Sequence, residues 1–154
     1  MNRSLKDDMT IVMTRTIPAP CDKLWLAWTR PETMRRWLTP GQNTVVAIEA
    51  DVRVGGAFRI ESVDPSGGRH VIAGRYRALE PGRHIAKTWI YDGPIAEIRG
   101  LVTILEADFH AIEATTTELT LRHRRIDDRS ARDVFEEGWP SCLEKLRSCM
   151  SSLN

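Results

Sequence analysis

The chain lacks the features of a membrane protein, an exported protein or a disulfide-linked protein. Among its 154 residues, no apolar run approaches the roughly 18–20 residues that a transmembrane helix needs. The first ten residues, MNRSLKDDMT, also lack the apolar segment of a signal peptide. Cys21, Cys142 and Cys149 show no metal-binding spacing, and a reducing compartment would keep them as small buried side chains. We therefore expect a cytoplasmic protein with no membrane partner.

A strong charge of either sign is also missing, because the formal net charge is only +1. Such a balance provides no field that would attract nucleic acid. The mixed segment RHRRIDDR (122–129) has no aromatic neighbours on which bases could stack, so we expect no nucleic-acid partner. With 42% hydrophobic and 28% charged residues, the composition is typical of one globular domain, which we expect to span residues 1–154.

Recognisable catalytic and metal-binding motifs are lacking too. The sequence has four histidines: His70, His84, His110 and His123. None has the spacing of paired metal ligands, and no GxSxG motif is present. We predict no catalytic residue, no metal site and no cofactor. Glu61 and Glu97 could act as an acid or a base if the strand register turned them into a cavity, but a solvated outer face is the commoner place for such residues.

Hydrophobic periodicity and turn signals divide the chain into strands and helices. Alternating β-branched segments indicate strands, and apolar residues at i, i+3 and i+4 indicate helices. The predicted elements are, in order, a strand over 9–17, two short helices over 20–28 and 29–38, five or six strands (43–51, 55–63, 69–80, 84–92, 98–108 and 115–124), and a helix over 130–151. Consecutive hairpins favour an antiparallel sheet, and the segregated helices favour an α+β domain.

Short motifs mark the ends of several elements. TRPE (29–32) has the form of a capping box, with Thr29 as the N-cap and Glu32 at N3. Ser130 is placed to cap the last helix. EPGR (80–83) has the proline and glycine of a type II turn.

The final helix contains an unusual triplet, Gly138, Trp139 and Pro140. Its apolar stripe consists of Phe135, Trp139, Cys142, Leu143, Leu146, Met150 and Leu153. A helix with such a stripe needs a large apolar partner, and a strongly bent sheet wrapped around it would leave a space between the two. We expect Pro140 to kink the helix within the preceding turn and Trp139 to be buried against the sheet. Gly138 either permits close packing or lines a cavity.

Four stretches, in this order, resemble one known family. They are LWLAWTRPETMRRWL (24–38), DVRVGGAFR (51–59), GRYRALEPGRHI (74–85) and EEGWPSCLEKL (136–146). The family is named after activators of the ATPase of the 90-kDa heat-shock protein (AHSA-like) and belongs to the START-like superfamily, also called SRPBCC or helix-grip. The resemblance implies the helix-grip fold, a bent antiparallel sheet around the long C-terminal helix, with the two short helices closing one end of a cavity.

The chain departs from the family pattern at four places. Leu38 stands where the family has a second tryptophan, Arg30 replaces an acidic residue, and Pro140 follows the Gly-Trp pair. The connection over 107–115 is expected to be longer than usual. We expect these departures to alter the cavity or its rim and not the fold.

The resemblance and the supply of aromatic residues together predict the binding site. An apolar pocket with few polar groups would be lined by Trp37, Phe58, Tyr76, Trp89 and Trp139. Lys87 shares a strand face with Trp89, which conflicts with an apolar lining. The strand register decides which of these side chains point inward, and the sequence leaves that register open.

Three functions are open at this point. The leading hypothesis is a protein that binds a small hydrophobic or aromatic molecule, as members of the resembled family are presumed to do. A co-chaperone-like regulator of a chaperone ATPase is the first alternative. The second is a cyclase- or hydrolase-type enzyme that uses the same cavity, which would need a polar group inside it. Edge strands or the two-helix segment could also form a homodimer.

Overall fold

A computed structural model describes residues 9–152, so Leu153 of the predicted stripe and the first eight residues lie outside the described part. The elements in this part are, in chain order, β1 (Ile11–Ile17), α1 (Cys21–Thr29), α2 (Pro31–Met34), β2 (Thr44–Ala50), β3 (Ala57–Val63), β4 (Arg69–Glu80), β5 (His84–Asp92), β6 (Val102–Glu113), β7 (Thr116–Arg124) and α3 (Arg129–Ser152). The predicted order of strands and helices is confirmed, with six strands after the two short helices.

The strands form one curved antiparallel sheet in the order β1-β7-β6-β5-β4-β3-β2. The strands β2 to β7 pair as consecutive hairpins, and β1 returns beside β7, where Ile17 lies opposite Thr117. The concave face of this sheet holds α3. The α+β helix-grip fold is therefore confirmed. Within residues 9–152, no helix combines the length and the apolar character that crossing a lipid bilayer requires.

The strand alternation settles which side chains point inward. On β5, Ile85, Lys87, Trp89 and Tyr91 are buried on the concave side. The β4–β5 hairpin turns at Pro81-Gly82 as predicted, because Gly82 has a φ of +75° and the amide of Arg83 donates to the carbonyl of Glu80 at 2.9 Å. Lys87 therefore does share the inner face with Trp89.

Both predicted helix caps are wrong. Thr29 is the last residue of α1, and its hydroxyl donates to the carbonyl of Trp25 at 2.9 Å, so it cannot cap α2. Arg30 stands at that N-cap in an extended conformation, which a residue before proline prefers. At the start of α3, the amide of Ala131 donates to a carboxylate oxygen of Asp128 at 3.0 Å, so the cap lies two residues before Ser130.

The predicted long connection over 107–115 is also wrong. Strand β6 continues to Glu113, and a two-residue turn leads into β7 at Thr116. The extension is largely exposed beyond Phe109, which explains why it lacks the inward alternation of a core strand.

The two short helices pack against one end of the sheet. The rings of Trp28 and Trp37 lie 4.8 Å apart, and the indole N–H of Trp37 donates to the carbonyl of Ala27 at 2.9 Å. The segment after α2 is held to α3, because the amine of Lys145 donates to the carbonyl of Thr39 at 2.7 Å. These contacts hold the segment after α2 in position, where it forms one wall of the space between the sheet and α3.

Candidate functional site

A cavity of about 420 Å³ lies between the concave face of the sheet and α3. Its walls come from β3, β4, β5, the segment after α2, the loop after β5, and α3. Most of the lining is apolar, and the residues that the site depends on are Ile60, Ser62, His70, Ile72, Trp89, Tyr91, Ile95, Ile98, Phe135, Gly138, Trp139 and Cys142.

The structure divides the five predicted aromatic residues into two groups. Trp89 and Trp139 line the cavity with their ring centres 5.3 Å apart. Trp37, Phe58 and Tyr76 are buried outside its lining, because they are turned into the adjoining aromatic core. Ligand contact by any of the five stays a prediction.

The glycine of the Gly-Trp-Pro triplet lies in the cavity wall. A Cβ placed on Gly138 would meet only the side chain of Pro40, at an ordinary contact distance of 3.7 Å. Close approach of α3 to the sheet therefore does not require glycine here, and the cavity-lining interpretation is favoured. The predicted burial of Trp139 is confirmed, since it is 4% exposed. Helix α3 runs without interruption through Pro140, and the predicted kink stays a prediction.

A buried chain of hydrogen bonds fixes Trp139 beside Trp89. The indole N–H of Trp139 can only donate, and it does so to Nδ1 of His123 at 3.1 Å. We therefore assign the proton of His123 to Nε2, which donates to the hydroxyl of Thr103 at 2.7 Å. That hydroxyl donates to the carbonyl of Trp89 at 2.6 Å. Burial lowers the pKa of His123 to about 3, so the imidazole is neutral.

A second chain of polar groups lies at the cavity wall, formed by Asp64, His70 and Tyr91. Hydrogen bonds from Ser66 above all, and then from His70, hold the pKa of Asp64 well below its usual range. The ionised carboxylate accepts from Nε2 of His70 at 2.7 Å, so Nδ1 accepts the phenol proton of Tyr91, also at 2.7 Å. Burial raises the pKa of Tyr91, which keeps that proton on the phenol.

No motif in the sequence predicts the Asp64–His70–Tyr91 chain. Asp64 and His70 lie on either side of a hairpin turn, and Tyr91 comes from β5, the strand after the one that holds His70. Their meeting depends on the pairing of β4 with β5, which places Ile72 opposite Tyr91. The nearest signal was the turn segment DPSGG between two alternating strands, which brings Asp64 close to the start of β4.

Lys87 occupies an aromatic box next to the cavity. Its ammonium nitrogen lies 4.5 Å from the ring centre of Phe58 and 5.5 Å from that of Tyr76. The rings of Trp89 and Trp28 lie at 5.6 and 5.8 Å. The residue is 0% exposed, and within residues 9–152 its Nζ has no hydrogen-bond partner. Burial without an acceptor lowers the pKa of Lys87 to about 7.

Neither of the two candidate carboxylates faces the cavity. Glu61 lies on the outer face of β3, and yet its side chain is only 9% exposed because Arg59 and Arg69 pair with it. Glu97 is exposed on the loop after β5. A solvated position is therefore right for Glu97, whereas Glu61 is covered by the two guanidinium groups.

Cys142 lines the cavity but is a poor nucleophile. Burial raises the pKa of its thiol to about 12, so the reactive thiolate is scarce at neutral pH. Among the described residues 9–152, no group of three or more His, Cys, Asp or Glu side chains could hold a metal ion.

Comparison with models of known protein families identifies the family of this chain. The family model described as Activator of Hsp90 ATPase homolog 1-like protein matches residues 18–151. The chain belongs to this family. None of the curated proteins matches the chain significantly.

Solved structures of bacterial proteins have the same fold as this AHSA1-like chain. The AHSA1 protein of Silicibacter pomeroyi is similar with a TM-score of 0.81 at 21% identity, over 94% of this chain and 99% of that one. A protein of Chromobacterium violaceum reaches 0.76 at 26% identity, over 92% and 96% of the two chains. CalU16 of Micromonospora echinospora reaches 0.66 at 24% identity, over 92% and 76%.

Proposed function

We propose that this AHSA1-like protein binds one small hydrophobic or aromatic molecule in the cavity between the sheet and α3. The observation that carries the proposal is the cavity itself, whose volume of about 420 Å³ lies in the range of small-molecule sites. Its lining is mainly apolar with a few polar groups, which is the usual composition of such sites.

Two features support binding over a packing defect. The space is partly open to solvent and its lining is mainly apolar, so an apolar molecule that entered it would remove apolar surface from water. Gly138 leaves part of this space open, although a Cβ at that position would meet only the side chain of Pro40. On the other side, the hydrogen bonds through His123 hold Trp139 in a fixed position, which preforms an aromatic wall.

A fluorescence titration with the neutral probe N-phenyl-1-naphthylamine tests the proposal. The wild-type protein should bind one probe molecule with saturation. Gly138→Leu, which fills the cavity, should weaken binding by at least about tenfold, because an apolar contact surface of this size is lost. Ser148→Leu adds the same side chain on the exposed face of α3 and should leave binding unchanged. Equal binding by both variants would contradict the proposed site.

An acid–base enzyme is a second candidate, because the Asp64–His70–Tyr91 chain reaches the cavity wall. An ionised carboxylate behind a histidine orients the ring, and the histidine can take up the phenol proton as Tyr91 accepts one from a bound molecule. Wild-type protein incubated with a cell extract should then convert a compound that His70→Gln and Tyr91→Phe leave unchanged. Both variants should still bind the naphthylamine probe. Conversion by His70→Gln at the wild-type rate would rule this chemistry out.

Location and other partners belong to the proposal as well. We infer a cytoplasmic protein, which agrees with the absence of a disulfide bond at Cys21, Cys142 and Cys149 among residues 9–152. A co-chaperone-like role stays a prediction, and absence of binding to the chaperone in a pull-down would exclude it. The homodimer also stays a prediction.

A further inference from the structure

Three polar groups buried near the cavity lack a hydrogen-bond partner within residues 9–152. They are Nζ of Lys87, the phenol oxygen of Tyr76 and the indole nitrogen of Trp28. All three belong to one cluster, since the rings of Tyr76 and Trp28 lie 5.5 and 5.8 Å from the amine. A buried donor without an acceptor is costly, and native proteins seldom leave several together.

The cluster lies directly beyond one end of the cavity. On β5, Trp89 lines the cavity and Lys87 is the next inward-facing residue. On β3, Ile60 lines the cavity and Phe58 is the next inward-facing residue. Tyr76 lies opposite Lys87 in the pairing of β4 with β5. A molecule that fills the cavity would therefore contact Trp89, whose ring centre lies 5.6 Å from the unpaired amine.

The chemistry of the cluster specifies what it lacks. An indole N–H and an ammonium group donate and never accept, and the phenol has a proton to donate as well. The aromatic rings around Lys87 attract its positive charge, but they give Tyr76 and Trp28 no acceptor. Within the described residues no salt bridge includes Lys87, so the protein itself supplies no counter-charge there.

A carboxylate supplies both the hydrogen-bond acceptors and the negative charge that the cluster lacks. It carries one negative charge, and its two oxygens offer about four lone-pair sites for hydrogen bonds. Charge-assisted hydrogen bonds of this type are about twice as strong as neutral ones. An alcohol or an ester would satisfy part of the donors and leave the ammonium group without a counter-charge.

We infer that the ligand is an apolar carboxylic acid whose carboxylate binds to Lys87, Tyr76 and Trp28 while its apolar part fills the cavity. This inference rests on the proposed binding function and adds the chemical class of the ligand. The inference requires that the ring of Trp89, whose centre lies 5.6 Å from Nζ of Lys87, moves aside on binding so that the head group reaches the amine.

Competition against the bound naphthylamine probe tests the inference with decanoate and methyl decanoate at neutral pH. Wild-type protein should prefer decanoate by at least about tenfold, because only the acid supplies a counter-charge. Lys87→Met keeps the apolar shape and should reduce this preference to below about threefold, with ester binding unchanged. Tyr76→Phe, which removes only the hydroxyl, should weaken decanoate binding by about threefold to tenfold.

The control variant is Lys23→Met, which removes an exposed lysine on α1 and should keep the wild-type preference. Equal affinity of wild-type protein for acid and ester would overturn the inference and leave the proposed function standing. A preference that survives Lys87→Met would overturn it as well. Failure of the probe, the acid and the ester to bind at all would overturn both.

Discussion

Lys87 is fully buried, and within residues 9–152 its amine has no hydrogen-bond partner. An inward-facing lysine among aromatic residues was visible as a conflict in the sequence. The sequence does not show how the lysine is accommodated, because this depends on four aromatic rings from β3, β4, β5 and α1 that surround its amine nitrogen. The aromatic rings accommodate the side chain, and burial lowers the pKa of Lys87 to about 7, so that charged and neutral forms are both present near neutral pH.

Replacing Lys87 with methionine should stabilise the protein at pH 7. The pKa of about 7 in the folded state lies below the ordinary value of 10.5, so the unfolded chain binds more protons between these two pH values. Stability of the wild-type protein therefore rises with pH across this window. Lys87→Met should be more stable by about 2–4 kcal/mol at pH 7, with a smaller difference at pH 10. Urea unfolding at both pH values measures this, and a less stable variant at pH 7 would contradict it.

His123 should make the wild-type protein sensitive to acid. Its pKa of about 3 in the folded state lies below the ordinary value of 6.5, so its contribution to stability is complete above pH 6.5 and is lost as the pH falls toward 3. His123→Phe should remove this dependence. It should also cost about 1–3 kcal/mol at pH 7, because the N–H of Trp139 loses its acceptor.

Guanidinium unfolding at pH 7 and pH 5 distinguishes this effect from a general acid sensitivity. His110→Phe, a change at an exposed position of β6, serves as the control and should keep the wild-type pH dependence. An unchanged acid dependence in His123→Phe would show that other groups cause it.

At the scale of elements, the cavity depends on a glycine in the middle of α3. Alanine is favoured over glycine inside a helix by about 0.5–1 kcal/mol, and a Cβ at Gly138 has room beside Pro40. Gly138→Ala should therefore stabilise the protein by that amount, as measured by chemical unfolding. Gly74→Ala is the opposite case, because a Cβ there would collide with the carbonyl of Thr88, and it should destabilise strongly. Destabilisation by Gly138→Ala would restore the close-packing interpretation.

The strands were more predictable than the ends of the helices. The bounds of β4 and β5 match the segments that predict them, because both segments have a clear turn on either side and β5 also has a buried inner face. The prediction of the helix caps was wrong for a different reason. Asp128 and Ser130 both have side chains that can cap a helix, and only the backbone path decides between them.

At the scale of the whole molecule, the fold was predictable and the site only in part. Element order and the stripe on α3 were enough to indicate a bent sheet around a helix. The site depends on register, because a shift by one residue exchanges the two faces of a strand. It also depends on the irregular pairing of β4 with β5 between Tyr76 and Ala78, which no sequence pattern predicts.

The most direct test of ligand binding in the cavity is a two-dimensional ¹H–¹⁵N NMR titration with N-phenyl-1-naphthylamine, read at the tryptophan indole N–H signals. We predict that the signals of Trp89 and Trp139 shift with saturation at one probe molecule per chain. The signal of Trp25, which packs against Phe109 away from the cavity, should stay in place. Shifts confined to surface amides, with Trp89 and Trp139 unchanged, would contradict binding between the sheet and α3.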